Sequence, residues 1–261
     1  MNSIKLSDGI IQHFEITNYY SAPIGGQKTV FIVTIDSKLF ALKVIKIADE
    51  RFEREVSICN KFVSSVGIPT IQRIELYGTD TIILEEFIDG DDLTNKIADF
   101  KNNDKKVLDF ISAIAEILKP VWEAKYVHRD LKPANIRIRK NNKPVVLDFG
   151  IARALDENSL TATGSQPYSW PFASPEQFNG KKNLISYRTD FFCLGIIAYH
   201  LYTNLLPFGN TKLEISESFN SGKLIINSGN QNIDSFCNTV FRVNPSERPR
   251  KIDNFINLLK I

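Results

Sequence analysis

Cysteine is scarce in this chain: Cys59, Cys193 and Cys237 are the only three among 261 residues. Their odd number and wide separation speak against a disulfide framework or a thiolate metal cluster, and three reduced thiols in a cytoplasmic protein are the expectation. Long apolar runs are lacking too. The most apolar stretch, residues 191–206, is interrupted by His200, Thr203 and Asn204, so it reads as a buried helix rather than a membrane span. Residues 1–10 carry Lys5 and Asp8 and have no apolar core of signal-peptide length. The expected location is the cytoplasm, with secretion into a host cytosol as an effector the alternative. Charge of one sign is equally absent. Thirty-two basic residues face 30 acidic ones, and the formal net charge of +2 gives no reason to expect a nucleic-acid partner or a membrane surface. Lys105-Lys106 and Lys181-Lys182 are runs too short to change that.

What is present suits a soluble globular protein. Hydrophobic residues make up 43% and charged residues 24% of the sequence, and the length allows one domain or a two-lobed unit with a sizeable core. Residues 14–47 are rich in β-branched and aromatic side chains, with turn formers at Pro23, Gly25 and Gly26, which predicts two or three antiparallel strands. Residues 39–45 form the clearest strand, an apolar run holding Lys43. Over 49–62, apolar residues at Phe52, Val56, Ile58, Cys59 and Phe62 suit a helix with a charged outer face. Two more strands are expected near 71–77 and 81–87, after which Asp89-Gly90-Asp91 breaks the pattern. Beyond it, residues 107–125 predict a long amphipathic helix, 136–138 and 144–147 a short hairpin, and 184–261 mostly helices joined by polar loops. The expected class is α+β: residues 1–88 a small antiparallel sheet lobe with one main helix, residues 89–261 a larger, mainly helical lobe.

The densest chemistry lies in His128-Arg129-Asp130-Leu131-Lys132-Pro133-Ala134-Asn135, followed thirteen residues after Asn135 by Asp148-Phe149-Gly150. These segments supply a lone carboxylate, a lysine, an amide and a second carboxylate. Moving a phosphoryl group from a metal-bound nucleotide requires such a set. Asp130 can accept the proton of a hydroxyl nucleophile, Lys132 can offset charge on the transferring group, and Asn135 and Asp148 offer hard oxygens to a metal ion. In this order and spacing the motifs resemble the eukaryotic-type (Hanks-type) Ser/Thr protein kinases, in a minimal form. The resemblance runs from about Phe14 to Leu259 and leaves little length for a sensor or regulatory domain.

The resemblance implies a bilobal protein-kinase-like fold and an enzyme that transfers the γ-phosphoryl group of ATP to protein hydroxyls. Mg²⁺, or else Mn²⁺, would be the metal, and the enzyme would autophosphorylate. Lys43 takes the place of the strand lysine that contacts the α and β phosphates. Glu55, twelve residues on, takes that of the helix glutamate paired with it; Glu53 competes for the role but projects from a different helix face. The glycine loop is eroded. Counting back from Val30, its three positions fall on Pro23, Gly25 and Lys28, so only the middle glycine survives, with Gly26 beside it. Val30 and Ala41 would roof the adenine, the backbones of Glu86 and Ile88 would bond it, and Asp92 would contact the ribose. Two departures stand out. Glu85 falls at the gatekeeper position, and Arg137 falls where an apolar side chain usually floors the base. Either Arg137 lays its stem under the base and reaches a carboxylate such as Glu85 or Asp92, or it turns out to solvent.

By the same resemblance, Arg129 would pair with a phosphate on the activation segment, 148–176, where Thr161 and Thr163 are the candidate phosphosites. Ser174-Pro175-Glu176 looks like the family's Ala-Pro-Glu element. Counting back from it, Ser169 would contact Asp130 and Lys132, with Ser165 the alternative. Glu176 would pair with Arg248, and Asp190 would brace the catalytic loop. Two other functions stay open. A nucleotide-binding pseudokinase scaffold is suggested by the eroded loop, Glu85 and Arg137. A kinase of a small-molecule or RNA acceptor would be expected to lack the His-Arg-Asp-Leu-Lys-Pro run that is legible here. The sequence does not reveal the oligomeric state.

Overall fold

The computed structural model describes residues 5–21, 29–45, 57, 58, 60–62, 65–149, 153, 154 and 170–260, in two compact units, Met1–Asp89 and Gly90–Ile261. The predicted helix over 49–62 lies largely outside the described residues; of it, residues 57, 58, 60 and 61 are helical.

In the first unit, a short helix α1 (Asp8–His13) precedes five strands: β1 (Asn18–Ser21), β2 (Thr29–Ile35), β3 (Lys38–Ile45), β4 (Ile71–Tyr77) and β5 (Asp80–Glu86). All pair antiparallel, in the order β1-β2-β3-β5-β4. Alternation along the strands sorts the side chains onto two faces. Phe31, Val33, Leu42, Ile82 and Leu84 share one face, and with Leu6, Ile10, Phe14 and Ile16 they build a buried apolar cluster. The residues around α1 therefore close this face. Ser7 caps the helix by accepting from the Ile10 N–H, and the Arg73 guanidinium lies 4.8 Å from the Phe14 ring centroid. Composition gave no hint of this helix. Its signal is the spacing of Leu6, Ile10 and Phe14, four residues apart behind a capping serine. Val30, Ala41, Lys43, Ile83 and Glu85 occupy the opposite face, by the register that pairs Val30 with Lys43, Lys43 with Ile83 and Ala41 with Glu85.

The second unit is built on helices. The long α2 (Asp104–Glu123) buries Val107, Leu108, Ile111, Ile114, Ala115, Leu118, Val121 and Trp122, an apolar stripe at helical spacing. Short strands β6 (Asp91–Asp92), β8 (Ile136–Ile138) and β9 (Pro144–Val146) form one small sheet; β7 (Tyr126–Val127) pairs with β10 (Arg153–Ala154). Helices α3 (Pro175–Phe178), α4 (Tyr187–Thr203), α5 (Lys212–Asn220), α6 (Gln231–Val240) and α7 (Ile252–Asn257) complete it. Of the apolar stretch over 191–206, residues 191–198 and Leu201 are buried in α4, and no helix among the described residues is long and apolar enough to cross a membrane. Phe191 stacks on Phe255 at 4.0 Å between ring centroids, with Trp122 edge-on at 5.1 Å. Gly195 permits α4 to approach α6 closely, because a Cβ there would lie 2.6 Å from Val240 Cγ2. The α+β class and the sheet-then-helices order are those expected.

Candidate active site

In the first unit the site residues come from the face opposite α1. Lys43 and Glu85 sit two register positions apart on neighbouring strands, and Lys43 Nζ lies 2.9 Å from Glu85 Oε1. Both are buried, as is Ala41, while Val30 is half-buried. Glu86 donates its backbone N–H to the Thr70 carbonyl at 2.8 Å, and Ile88 is buried. Gly25, Gly26, Glu53 and Glu55 lie outside the described residues.

The expected reach of Arg137 to the Asp92 carboxylate is not what the structure holds. Strand pairing does set Arg137 opposite Asp92, but its guanidinium donates to the Gly90 carbonyl. The Asp92 carboxylate is turned to the Thr94 N–H, 2.9 Å away, and to the Thr94 hydroxyl. A backbone carbonyl answers the arginine because Gly90 brings the chain close: at φ +115° it sits where a Cβ would meet the Ile138 carbonyl at 2.0 Å.

In the second unit the segment 128–135 is held on every side. Asp130 Oδ2 accepts from Lys132 Nζ at 2.8 Å and from Asn135 Nδ2 at 2.9 Å, and Asn135 Nδ2 also donates to the Asp130 carbonyl at 2.8 Å. Both amide protons of Asn135 are thus spent on Asp130, which makes Oδ1 the atom this amide can offer to a cation. The hairpin of β8 and β9 delivers Asp148 just past β9, and the Leu147 N–H donates to the Asn135 carbonyl at 2.8 Å. Asp148 has φ +62° and Arg129 φ +70°, a left-handed backbone that costs energy in non-glycine residues and recurs at functional sites. His128 does more than pack. Fully buried, it accepts the Asp130 N–H at Nδ1 and, as the Nε2–H tautomer, donates to the Leu147 carbonyl at 3.0 Å. It ties the loop of Asp130 to the strand end carrying Asp148, with the Phe149 ring 4.8 Å away.

A second tier of buried groups fixes this loop. Asp190, in the first turn of α4, accepts from the backbone N–H groups of His128 and Arg129 at 2.9 and 3.0 Å and from Trp122 Nε1 at 2.8 Å. Burial raises its carboxyl above the usual aspartate range, against the pull of these donors. Gln177, which the sequence motifs do not single out, donates to the Arg129 carbonyl at 2.6 Å and closes a capping box with Ser174 at the start of α3. The serine three residues before Gln177 is the capping signal that marks it. Glu176 binds Arg248 through two bonds of 2.6 and 2.7 Å, both side chains being buried. Asp190→Asn is expected to lower the unfolding free energy by about 1–3 kcal/mol in a urea titration, because an amide offers one acceptor where three N–H donors converge. Unchanged stability would remove Asp190 from this bracing role. Thr161, Thr163 and Ser169, like Gly150, fall outside the described residues.

Among the described residues there is no group of three or more His, Cys, Asp or Glu that could hold a metal ion. Asn135 and Asp148 instead offer hard oxygen donors, one amide and one carboxylate. Such a pair suits an octahedral cation that takes its remaining ligands from phosphate and water.

Comparison with known proteins agrees with this geometry. The family model for the protein kinase domain matches residues 24–257. A probable serine/threonine-protein kinase of Clostridium acetobutylicum is 31% identical over 198 residues, which are 71% of this chain and 29% of that protein. The serine/threonine-protein kinase PrkC of Bacillus subtilis is 31% identical over 194 residues, 70% of this chain and 30% of PrkC. The serine/threonine-protein kinase pkn3 of Myxococcus xanthus is 31% identical over 187 residues, 66% of this chain and 34% of pkn3. The matched region is about a third or less of each relative. Kinases of this family act with ATP and a divalent metal. The chain belongs to the protein kinase domain family, and the relatives it matches are bacterial Hanks-type serine/threonine kinases.

Proposed function

We propose that this chain is a serine/threonine kinase domain that transfers the γ-phosphoryl group of ATP to protein hydroxyls, with Mg²⁺ as the preferred metal and Mn²⁺ a substitute. The observation that carries the reading is the Asp130 carboxylate, steadied at Oδ2 by Lys132 and Asn135. Oδ1 lies outside these two bonds and is the atom that orients the acceptor hydroxyl and takes its proton. Lys132 offsets charge on the transferring group, and Lys43 aligns the donor phosphates with Glu55 as its helix partner. Asn135 and Asp148 would hold the metal, which when bound shields the phosphate charges. The chain's own contribution is positioning and electrostatic stabilisation, with no covalent intermediate.

Val30, Ala41, Glu86, Ile88 and Asp92 would line the nucleotide site, Arg137 would floor the base, and Gly25 and Gly26 would close over the phosphates. Arg129 would receive a phosphate placed on Thr161 or Thr163, and Ser169 would contact Asp130. Lys132, two residues after Asp130, favours serine and threonine over tyrosine. The need for ATP fits the cytoplasm, that of the cell of origin or of a host.

The test is incubation of wild type and Asp148→Asn with Mg²⁺, γ-labelled ATP and a generic protein substrate, followed by phosphosite mapping. Label on serine or threonine with wild type, reduced at least a hundredfold in the variant, is expected. No label from a wild type that binds nucleotide would favour a scaffold or a different acceptor.

A further inference from the structure

The gatekeeper position of this chain carries a buried carboxylate, and the sheet itself says what that carboxylate is for. Strand β5 is interior, flanked by β3 and β4, and Glu85 follows the buried residues Ile82, Ile83 and Leu84. A charge there is costly unless it is answered. The β3–β5 register sets Glu85 opposite Ala41 and Lys43 opposite Ile83, so Glu85 and Lys43 are diagonal neighbours on one face. A methyl group opposite Glu85 leaves room for the carboxylate to lean along the strand toward the lysine. The two meet at 2.9 Å, with side chains 9% and 11% exposed respectively.

We propose that Glu85 is a positioning residue for Lys43, a second anchor supplied by the sheet, sharing the task that the family gives to a helix glutamate. The physical difference lies in the mounting. A glutamate on a helix moves with that helix, whereas Glu85 is hydrogen-bonded through its strand to the strand of Lys43. The ammonium carries three N–H donors. One directed at Glu85 fixes the direction of the side chain. Lys43 is thereby oriented from the sheet by Glu85.

This inference rests on the kinase reading only in assigning phosphates to Lys43, and the experiment separates the two. Wild type, Glu85→Gln, Lys43→Met and the double variant are titrated with ADP and Mg²⁺ by calorimetry. The same four are melted without nucleotide. Glu85→Gln keeps the shape of the side chain and removes its charge. It is expected to weaken ADP binding about tenfold, the worth of one charge-assisted hydrogen bond, and to change it less than twofold in the Lys43→Met background. The melting shifts should be non-additive in the same sense. Equal effects in both backgrounds, unchanged affinity, or tighter binding by Glu85→Gln would each overturn the proposal, the last by making Glu85 a competitor of the phosphates. If Lys43→Met reduces ADP binding below measurement, the nucleotide-free melting cycle decides, and additive shifts there overturn the pairing. A wild type that binds ADP but transfers no label would sink the kinase reading and leave this cycle interpretable.

Discussion

Asp130→Asn is expected to lower phosphoryl transfer by a factor of about 10²–10⁴ while leaving nucleotide affinity and stability close to wild type. The separation follows from how Asp130 is held. Its backbone N–H is taken by His128 Nδ1, and its carbonyl accepts from Asn135 at 2.8 Å; neither bond involves the atom that changes. An asparagine can present its oxygen to Lys132 and Asn135 where Oδ2 stands now. What it cannot do is take a proton from an acceptor hydroxyl, since the remaining group becomes an NH₂. The loop thus keeps its shape and loses its base. Initial rates of label transfer to a generic protein substrate, with a parallel calorimetric titration of ADP and Mg²⁺, give both halves of the result. A variant retaining more than a tenth of wild-type turnover would show that Asp130 is not the proton acceptor.

Arg248→Ala should have the largest effect on stability, about 3–5 kcal/mol, and should act on folding rather than on chemistry. Arg248 is almost wholly buried, and its guanidinium has an acceptor for each donor. Nε donates to the Arg242 carbonyl at 3.0 Å, Nη1 to Glu176 and the Arg188 carbonyl, and Nη2 to Glu176 and the Val243 carbonyl. The same group lies 4.7 Å from the Phe192 ring centroid. Truncation removes all of this and leaves the Glu176 carboxylate with Thr189 Oγ1, at 2.8 Å, as its remaining hydrogen-bond partner among the described residues. A well-packed apolar replacement of both partners could be tolerated, but a single truncation strands a buried carboxylate. At roughly 2–4 °C per kcal/mol for a unit of this size, the melting temperature should fall by on the order of 10 °C. Calorimetry checks this, and activity per folded molecule should be near normal. A variant that melts with wild type would mean that the ion pair contributes nothing net to the fold.

Much of this was readable along the chain because the signals are local. A motif such as His-Arg-Asp-Leu-Lys-Pro-x-Asn folds into one loop, and three of the bonds that organise it, between Asp130, Lys132 and Asn135, span five residues or fewer. Periodicity marks α2 and α4 for the same reason: the apolar stripe and the continuously buried run are properties of neighbouring positions. The pairing of Glu176 with Arg248 spans 72 residues, yet it could be expected because both partners sit in family motifs.

The partners of Glu85 and Arg137 could not be read this way. Both are departures from the family pattern, so the pattern offers no partner for either, and charge alone suggests that Arg137 reaches a carboxylate such as Glu85 or Asp92. Each has a partner within its own unit. Two residues 42 apart, Lys43 and Glu85, were brought onto one face by the alignment of β3 with β5, and a one-residue slip would have sent Glu85 to the face that α1 covers. Arg137 was captured by a carbonyl that only the left-handed turn at Gly90 brings within reach. Gln177 likewise acquired its role from tertiary contact, through a bond to the Arg129 carbonyl 48 residues away. By itself the sequence determined the chemical groups, their order and the segments that carry them, because these depend on residue identity and short-range periodicity. Which buried charge answers which was left to the tertiary structure, because an ion pair forms only where strand register and a permissive backbone bring two side chains within 3 Å or so.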